Sequence, residues 1–277
     1  MEKRPKAIHR SGTMRASQLL RVYKQLLSMN FSVLTAHRAA FANHLISGII
    51  WGIFYFVVML LLTNNVKSIF DWSKEEILLL AAILAIMIGI FNALFQANFD
   101  SFPNLVNKGK LDSYLLKPID SQLILTMWNI KFFSLTRSLI GVIFIWYLTV
   151  YYHITFSWLG FAYAIPFMIL GLGLYYSIWS IITTLTVWFD RATNIIELLH
   201  SLQGIMRMPP VVFREVNVVL YMAVLPLTII AATPVGLVLK KSSASNLIIL
   251  TVTSIIFMVA CRKFWLFALR SYTSASS

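Results

Sequence analysis

Stretches with no charged residue, each about as long as a bilayer is thick, recur along this chain. Leu45–Thr63 is one such run of 19 residues, and Ile77–Phe99 is a second. At 1.5 Å per residue, about twenty residues of helix cross the ~30 Å hydrocarbon core. Composition agrees: 59% of the 277 residues are hydrophobic and 12% are charged, against roughly 25% charged in a soluble domain. Most of the surface therefore does not face water. The reading is an all-α, polytopic membrane protein with little chain left over for a soluble domain.

Residues 1–42 read as a basic segment followed by an amphipathic helix over Met14–Arg38. Leu19, Leu20, Tyr23, Leu26, Leu27, Phe31 and Leu34 recur there at helical spacing, and Arg21, Lys24, Gln25 and Ser28 fill the other face. Such a helix suits a membrane surface, or packing on a partner protein. The first long apolar run starts near Leu45, after eight Lys/Arg and with no small-residue cleavage site at its end, so an uncleaved first span is expected.

The transmembrane region is expected over 43–268, with spans at about 45–63, 77–99, 127–152, 164–189 and 246–267, and a tail at 269–277. The uncharged part of the third, Ser138–Tyr152, is too short to cross alone, so its helix begins earlier, with Lys131 and Arg137 snorkelling or in a polar vestibule. One further span is ambiguous. Val216–Leu239 is the more apolar candidate but contains Pro226 and Pro234, with Pro209 and Pro210 before it. Thr193–Met208 is less apolar and carries Glu197 and His200.

The formal net charge is +13. The basic residues sit between apolar runs rather than on one face with interleaved aromatics, which points to anionic headgroups and not to nucleic acid. With both termini and the 100–122 loop in the cytoplasm, 17 of the 23 Lys/Arg lie inside. The outer side keeps Lys67, Lys74, Arg207, Arg214, Lys240 and Lys241. The asymmetry follows the positive-inside bias and requires an even number of spans.

Sequence signatures of catalysis are missing. Gly109-Lys110 is followed by Leu111 rather than Ser or Thr, so there is no P-loop and no ATP hydrolysis by that route. The five histidines (9, 37, 44, 153 and 200) are scattered, and no hydrolase or metal-ligand spacing occurs, so no catalytic residue and no metal site are assigned. Cys261 is the only cysteine and reads as a small apolar residue of the last span. Gly48-x-x-x-Gly52, and Gly171 with Gly173, permit close helix approach. Glu197 and His200 lie one helical turn apart. They are either a functional intramembrane polar pair or hydrated residues near the cytoplasmic end.

The most informative loop is Asn107-Lys108-Gly109-Lys110-Leu111-Asp112-Ser113-Tyr114-Leu115-Leu116-Lys117-Pro118. Gly109 is a break, Leu111, Leu115 and Leu116 fall on one helical stripe, and Pro118 stops the helix. A short lysine-ringed amphipathic helix suits docking onto a partner, or is a solvated turn with its apolar residues tucked under the membrane.

This loop resembles the Gly-x-Leu-Asp-x-x-Leu-x-x-Pro segment of the ABC-2-type permeases, the membrane subunits of type-2 ABC exporters, through Gly109, Leu111, Asp112, Leu115 and Pro118. The tail, Phe264-Trp265 and then Leu269-Arg270-Ser271-Tyr272-Thr273-Ser274-Ala275-Ser276, is similar to the endings of one branch of that family, and Pro210, Pro226 and Pro234 are similarly placed. The resemblance covers essentially the whole chain and implies six transmembrane helices. The N-terminal amphipathic helix, with Arg21, Tyr23, Lys24 and Leu27, would be an elbow helix. Lys108, Gly109, Lys110, Leu111, Asp112, Leu115, Leu116 and Pro118 would form a coupling helix in a cleft of a separate ATP-binding subunit, which would hold the ATP and Mg. Residues 209–241 would be re-entrant helices on the outer face, which favours 192–208 as span five. Two permease subunits, identical or homologous, would enclose the pathway in a bacterial inner membrane, with both termini cytoplasmic. Two other readings compete: a gradient-driven secondary transporter or channel, and a non-transport scaffold. Most spans lack acidic residues and no internal repeat is visible, which counts against the first. Only an ABC permease needs an ATPase at the loop. The substrate is not legible.

Overall fold

The structure is a computed structural model that describes residues 16–36, 38–64, 68–69, 72–117, 119–152, 157–189 and 193–272. The described chain is helical apart from a two-residue ladder, β1 (Ser68–Ile69) against β2 (Trp72–Ser73). Its helices are α1 (Ala16–Ala36), α2 (Arg38–Asn64), α3 (Lys74–Phe91), α4 (Ala97–Asn107), α5 (Leu111–Leu115), α6 (Ser121–Met127), α7 (Leu135–Tyr151), α8 (Trp158–Thr184), α9 (Thr193–Leu202), α10 (Pro210–Val216), α11 (Val218–Val238) and α12 (Ala244–Ser271).

Five helical stretches are long and apolar enough to cross a membrane: Arg38–Asn64, Lys74–Asn107, Phe132–Tyr151, Leu159–Val187 and Ala244–Ser271. The second joins α3 to α4 through a π-helical turn at Asn92–Gln96. At 34 residues it is about 50 Å long, so one end projects past a ~30 Å hydrocarbon core. Its start is fixed by a capping box: the Glu76 amide donates to Ser73 Oγ at 3.3 Å, and the Ser73 amide donates to Glu76 Oε2 at 3.0 Å. Glu76 also pairs with Lys241 at 2.6 Å, tying this end to the α11–α12 turn.

Close contacts set the helix directions. Gly48 and Gly52 of α2 face Thr136 and Ile140 of α7, and Phe56 stacks on Phe144, so α2 and α7 run parallel. Ser138 donates to the Ile86 carbonyl at 2.8 Å while Gly141 lies on Ala82, so α3 is antiparallel to α7. Phe91 meets Tyr175 and Phe99 meets Trp179, making α8 parallel to α3. Ser254 donates to the Leu170 carbonyl and Trp188 packs on Phe264, so α12 is parallel to α8. Gly160 lies against Leu237 and Gly171 against Ile230, so α11 is antiparallel to α8.

Two parallel helices in sequence force the intervening chain, 185–243, to travel back along the bundle once. The expected span at 192–208 is not one continuous helix. It is split into α9 and a 3₁₀ turn at Ile205–Arg207, and ten residues of α-helix reach about 15 Å, half the hydrocarbon core. The longer element of the return is α11, whose 21 residues reach about 31 Å. Pro226 and Pro234 lie inside α11 without ending it. From Leu227 to Val238 most of its residues are buried against α8 and α3, and that packing holds the helix where propensity alone would break it. Asn217 separates α10 from α11 and caps the latter, its Oδ1 accepting from the Val219 and Leu220 amides.

Candidate functional site

At the projecting end of α4 the chain turns at Lys108–Lys110. Gly109 adopts φ +63°, a left-handed conformation that glycine reaches without a Cβ penalty. Its amide donates to the Val106 carbonyl at 3.0 Å and that of Lys110 to the Leu105 carbonyl at 2.9 Å, closing α4 as a Schellman-like end. The five-residue α5 follows. Leu111 is 1% exposed and packs with Phe102, Val106, Ile124, Leu125 and Trp265 in a second, smaller apolar core at this end. Leu115 and Tyr114 are half-buried against the same core. On the other face Lys108, Lys110, Ser113 and Leu116 are exposed, Leu116 at 86%. Lys117 sits 3.8 Å from the Trp128 ring centre and 4.7 Å from that of Tyr114, and Pro118 lies outside the described residues.

The end of α12 holds this region in place. Asp120 caps α6, accepting from the Leu123 amide at 3.1 Å, and pairs through both oxygens with Arg262. Arg262 also donates to Gln122 Oε1 at 3.0 Å, and the Trp265 indole donates to Ser121 at 3.1 Å. Tyr272 lies beside Asp112. Burial first, and then the Asp112 charge, raise its phenol above the ordinary value.

Of the α1 residues singled out in the sequence, Arg21 and Lys24 are exposed while Tyr23 and Leu27 are half-buried; Leu26 is buried. One residue of α1 that sequence reasoning missed makes the specific connection. Asn30 donates to the Trp128 carbonyl at 3.0 Å and accepts from the Ile130 amide at 3.1 Å. Asn98 of α4 does the same for the next residue, accepting from the Asn129 amide at 2.8 Å and donating to its carbonyl at 2.9 Å. Residues 128–131 are the irregular break between α6 and α7, and the two amides stand in for the missing helical bonds. The break thus joins α1, the first turn of α4, and α7.

The expected Glu197–His200 pair is arranged differently. His200 turns to α3–α4, 3.4 Å from Asp100 and 3.3 Å from the Gln96 side chain, with Gln96 donating to Asp100 at 2.8 Å. Its ring meets Trp179 edge-on at 5.3 Å. Glu197 is exposed and forms no ion pair with a described residue. The π-turn at Asn92–Gln96 carries Gln96 in this group, and a π-turn leaves no local sequence signature. A second grouping also escaped the sequence reading, which put Arg137 at the inner side and Arg207 on the outer face. Both guanidiniums lie over the Tyr55 ring, at 5.6 and 5.2 Å from its centre.

Between the Asn92–Gln96 turn, α6, α8 and α12 lies a cleft of about 610 Å³. Leu94, Phe95, Ile169, Leu172 and Met258 line it, and Gln122, Cys261 and the Asp120–Arg262 pair border it. Cys261 is buried and its Sγ accepts from Gln122 Nε2 at 3.1 Å. The cleft's size lies in the range of ordinary small-molecule clefts. Among the described residues no three His, Cys, Asp or Glu side chains gather as metal ligands.

The chain was compared with known families, curated proteins and solved structures. No curated protein and no solved structure matches it. Residues 25–276 match the family described as ABC-2 family transporter protein, nearly the whole chain and all five apolar spans. A multi-pass helical bundle fits that match, and the chain belongs to the ABC-2 transporter family, as a transport permease.

Proposed function

We propose that this chain is the membrane subunit of an ATP-binding cassette exporter, driven by a separate subunit that binds ATP and Mg and docks on the α4–α5 turn. The observation that carries the reading is the division of α5. Leu111 anchors it in a core shared with Trp265 of α12, while Leu116, at 86% exposure, stands with Lys108 and Lys110 on the free face. An isolated soluble turn has no reason to present a leucine this way; a docking helix needs an apolar tip for a partner's cleft and a fixed root that passes displacement to the spans. The root here is tied to α12 through Asp120–Arg262 and to the α6–α7 break through Asn98. The same break accepts Asn30 of α1, and α1 in the elbow role would share that motion.

In this reading the chain crosses the bilayer six times. The parallel course of α8 and α12 supports it, because the segment between them must return across, with α11 as its main element. Both termini and the α5 loop are then cytoplasmic, in a bacterial inner membrane, and two copies or two homologous subunits enclose the pathway. Docking is tested by site-specific cross-linking. Cys261 is the only native cysteine and is buried, so Leu116→Cys or Ser113→Cys introduces a single reactive thiol. Cross-links to the ATP-binding subunit are expected from positions 116 and 113, and none from Tyr163→Cys at the far end of the bundle. Equal yields from all three would refute the docking assignment.

A further inference from the structure

Arg137 and Arg207 are a pair of cations with no anion among the described residues. Tyr55, the ring they share, lies one residue past the middle of the charge-free Leu45–Thr63 run, so the ring over which both guanidiniums lie is near mid-depth of that run. Arg137 comes from α7, next to Thr136 of the Gly48 contact and one turn before Ile140 of the Gly52 contact, and Arg207 comes from the 3₁₀ turn before α10. The described carboxylates are engaged or placed elsewhere: Asp100 with Gln96 and His200, Asp120 with Arg262, Glu76 with Lys241, Glu75 in the first turn of α3, Asp112 beside Tyr272, and Glu197 exposed. Neither arginine forms an ion pair with a described residue.

Two like charges held near one ring at bilayer depth repel one another, and cation–π contact offsets only part of the cost of keeping them from water. The Tyr55 hydroxyl is also buried with no hydrogen-bond partner, an arrangement that normally has a reason. Arg207 is exposed, so the pair is open to an occupant from outside the described chain. Two planar donor forks and one spare O–H are complementary to an oxyanion.

We infer that Arg137, Arg207 and Tyr55 form a mid-membrane binding site for an acidic oxygen group, a carboxylate or phosphate carried on an apolar body. The source is either the cargo or the headgroup of an anionic lipid. The cargo version deepens the permease reading and rests on it; the site itself does not.

The test uses the full chain, with whatever subunits accompany it, in phosphatidylcholine nanodiscs. Binding of decyl phosphate, decanoate and the neutral decanol is measured by equilibrium dialysis. The wild type should prefer each anion to decanol by at least about tenfold, the scale of one charge-assisted hydrogen bond. Arg137→Gln and Arg207→Gln should each bring the preference to within about twofold. Tyr55→Phe, which keeps the ring and the fold, should lower it partway. Phosphatidylglycerol in the disc that displaces the probes would identify a lipid headgroup as the source, and undisturbed binding would identify a free cargo. No anion preference in the wild type, or a preference unchanged in both Gln variants, would overturn the site. So would a wild type without preference whose dimer falls apart in Arg207→Gln, since the arginines would then meet a carboxylate of a second copy. The same preparations report the ATP-binding subunit independently. Anion preference without the subunit sinks the permease reading alone, and the subunit without anion preference sinks this site alone.

Discussion

Asn98→Ala should be among the most damaging single changes in the molecule. The side chain is 3% exposed and serves two backbone groups of one residue, the Asn129 N–H and C=O, at 2.8 and 2.9 Å. Alanine leaves both without a partner, at a position where the buried Asn98 side chain keeps bulk water away. Each orphaned group costs about 1–3 kcal/mol, so the variant should lose about 2–5 kcal/mol. Asn30→Ala removes a matching pair of bonds, to Trp128 and Ile130, but from a half-buried position. Water reaches the vacated groups more easily there, and the loss should be nearer 1–2 kcal/mol. The assay is reversible unfolding in mixed micelles, with Asn98→Ala and Asn30→Ala measured beside the wild type. An Asn98→Ala loss under about 0.5 kcal/mol, or a larger loss for Asn30→Ala, would refute the idea that these amides stand in for helical bonds.

Leu111→Ala should cost about 2–4 kcal/mol in the same unfolding assay, whereas Leu116→Ala should leave stability unchanged. Equal effects would contradict the division of α5. Gly141→Ala and Gly171→Ala would push a Cβ to within 2.9 Å of the Ala82 carbonyl and 2.8 Å of the Ile230 carbonyl, and each should destabilise by about 1–3 kcal/mol. Gly236→Ala meets only ordinary contacts from 3.4 Å and should be neutral or slightly stabilising. Lys110→Glu and Leu115→Pro should leave membrane insertion intact while abolishing transport, and wild-type transport in both would remove the coupling role. Because the Tyr272 phenol is raised, its neutral form is favoured by the fold. That contribution holds below its unfolded value of 10.0 and is lost as pH rises through the folded one. An alkaline absorbance titration should therefore lose a late-ionising step in Tyr272→Phe; a step at the ordinary value would contradict the contact with Asp112.

The spans were legible because bilayer thickness converts directly into run length, and charge is too costly to hide in one. Leu45–Thr63 and Ile77–Phe99 needed no other argument. The return segment was harder because its two signals conflict. Prolines at 226 and 234 argue against a helix that the packing of α11 on α8 then supports, while Thr193–Met208 avoids internal proline but holds only ten residues of α-helix. Gly109 and the Leu111 stripe marked the α4–α5 turn because a glycine break and helical spacing are local features. Asn30, Asn98 and the Arg137–Tyr55–Arg207 group were not visible, since their partners lie 31 to 100 residues away for the asparagines and farther for Arg207. An isolated Asn or Arg looks the same whether it faces water or holds a distant strand of backbone. Glu197 attracted notice for its charge within a weak span, yet His200 found its partner on α4.

Co-purification tests the central claim most directly. The tagged chain is extracted from its host in mild detergent, its stoichiometric companions are identified, and ATP hydrolysis is assayed, for the wild type and for Leu116→Asp. A docking permease predicts an ATP-binding subunit with the wild type, hydrolysis in that preparation, and loss of both in Leu116→Asp although the variant remains folded. A folded wild-type chain that purifies with no ATP-binding subunit, or one whose subunit is indifferent to Leu116→Asp, would contradict it.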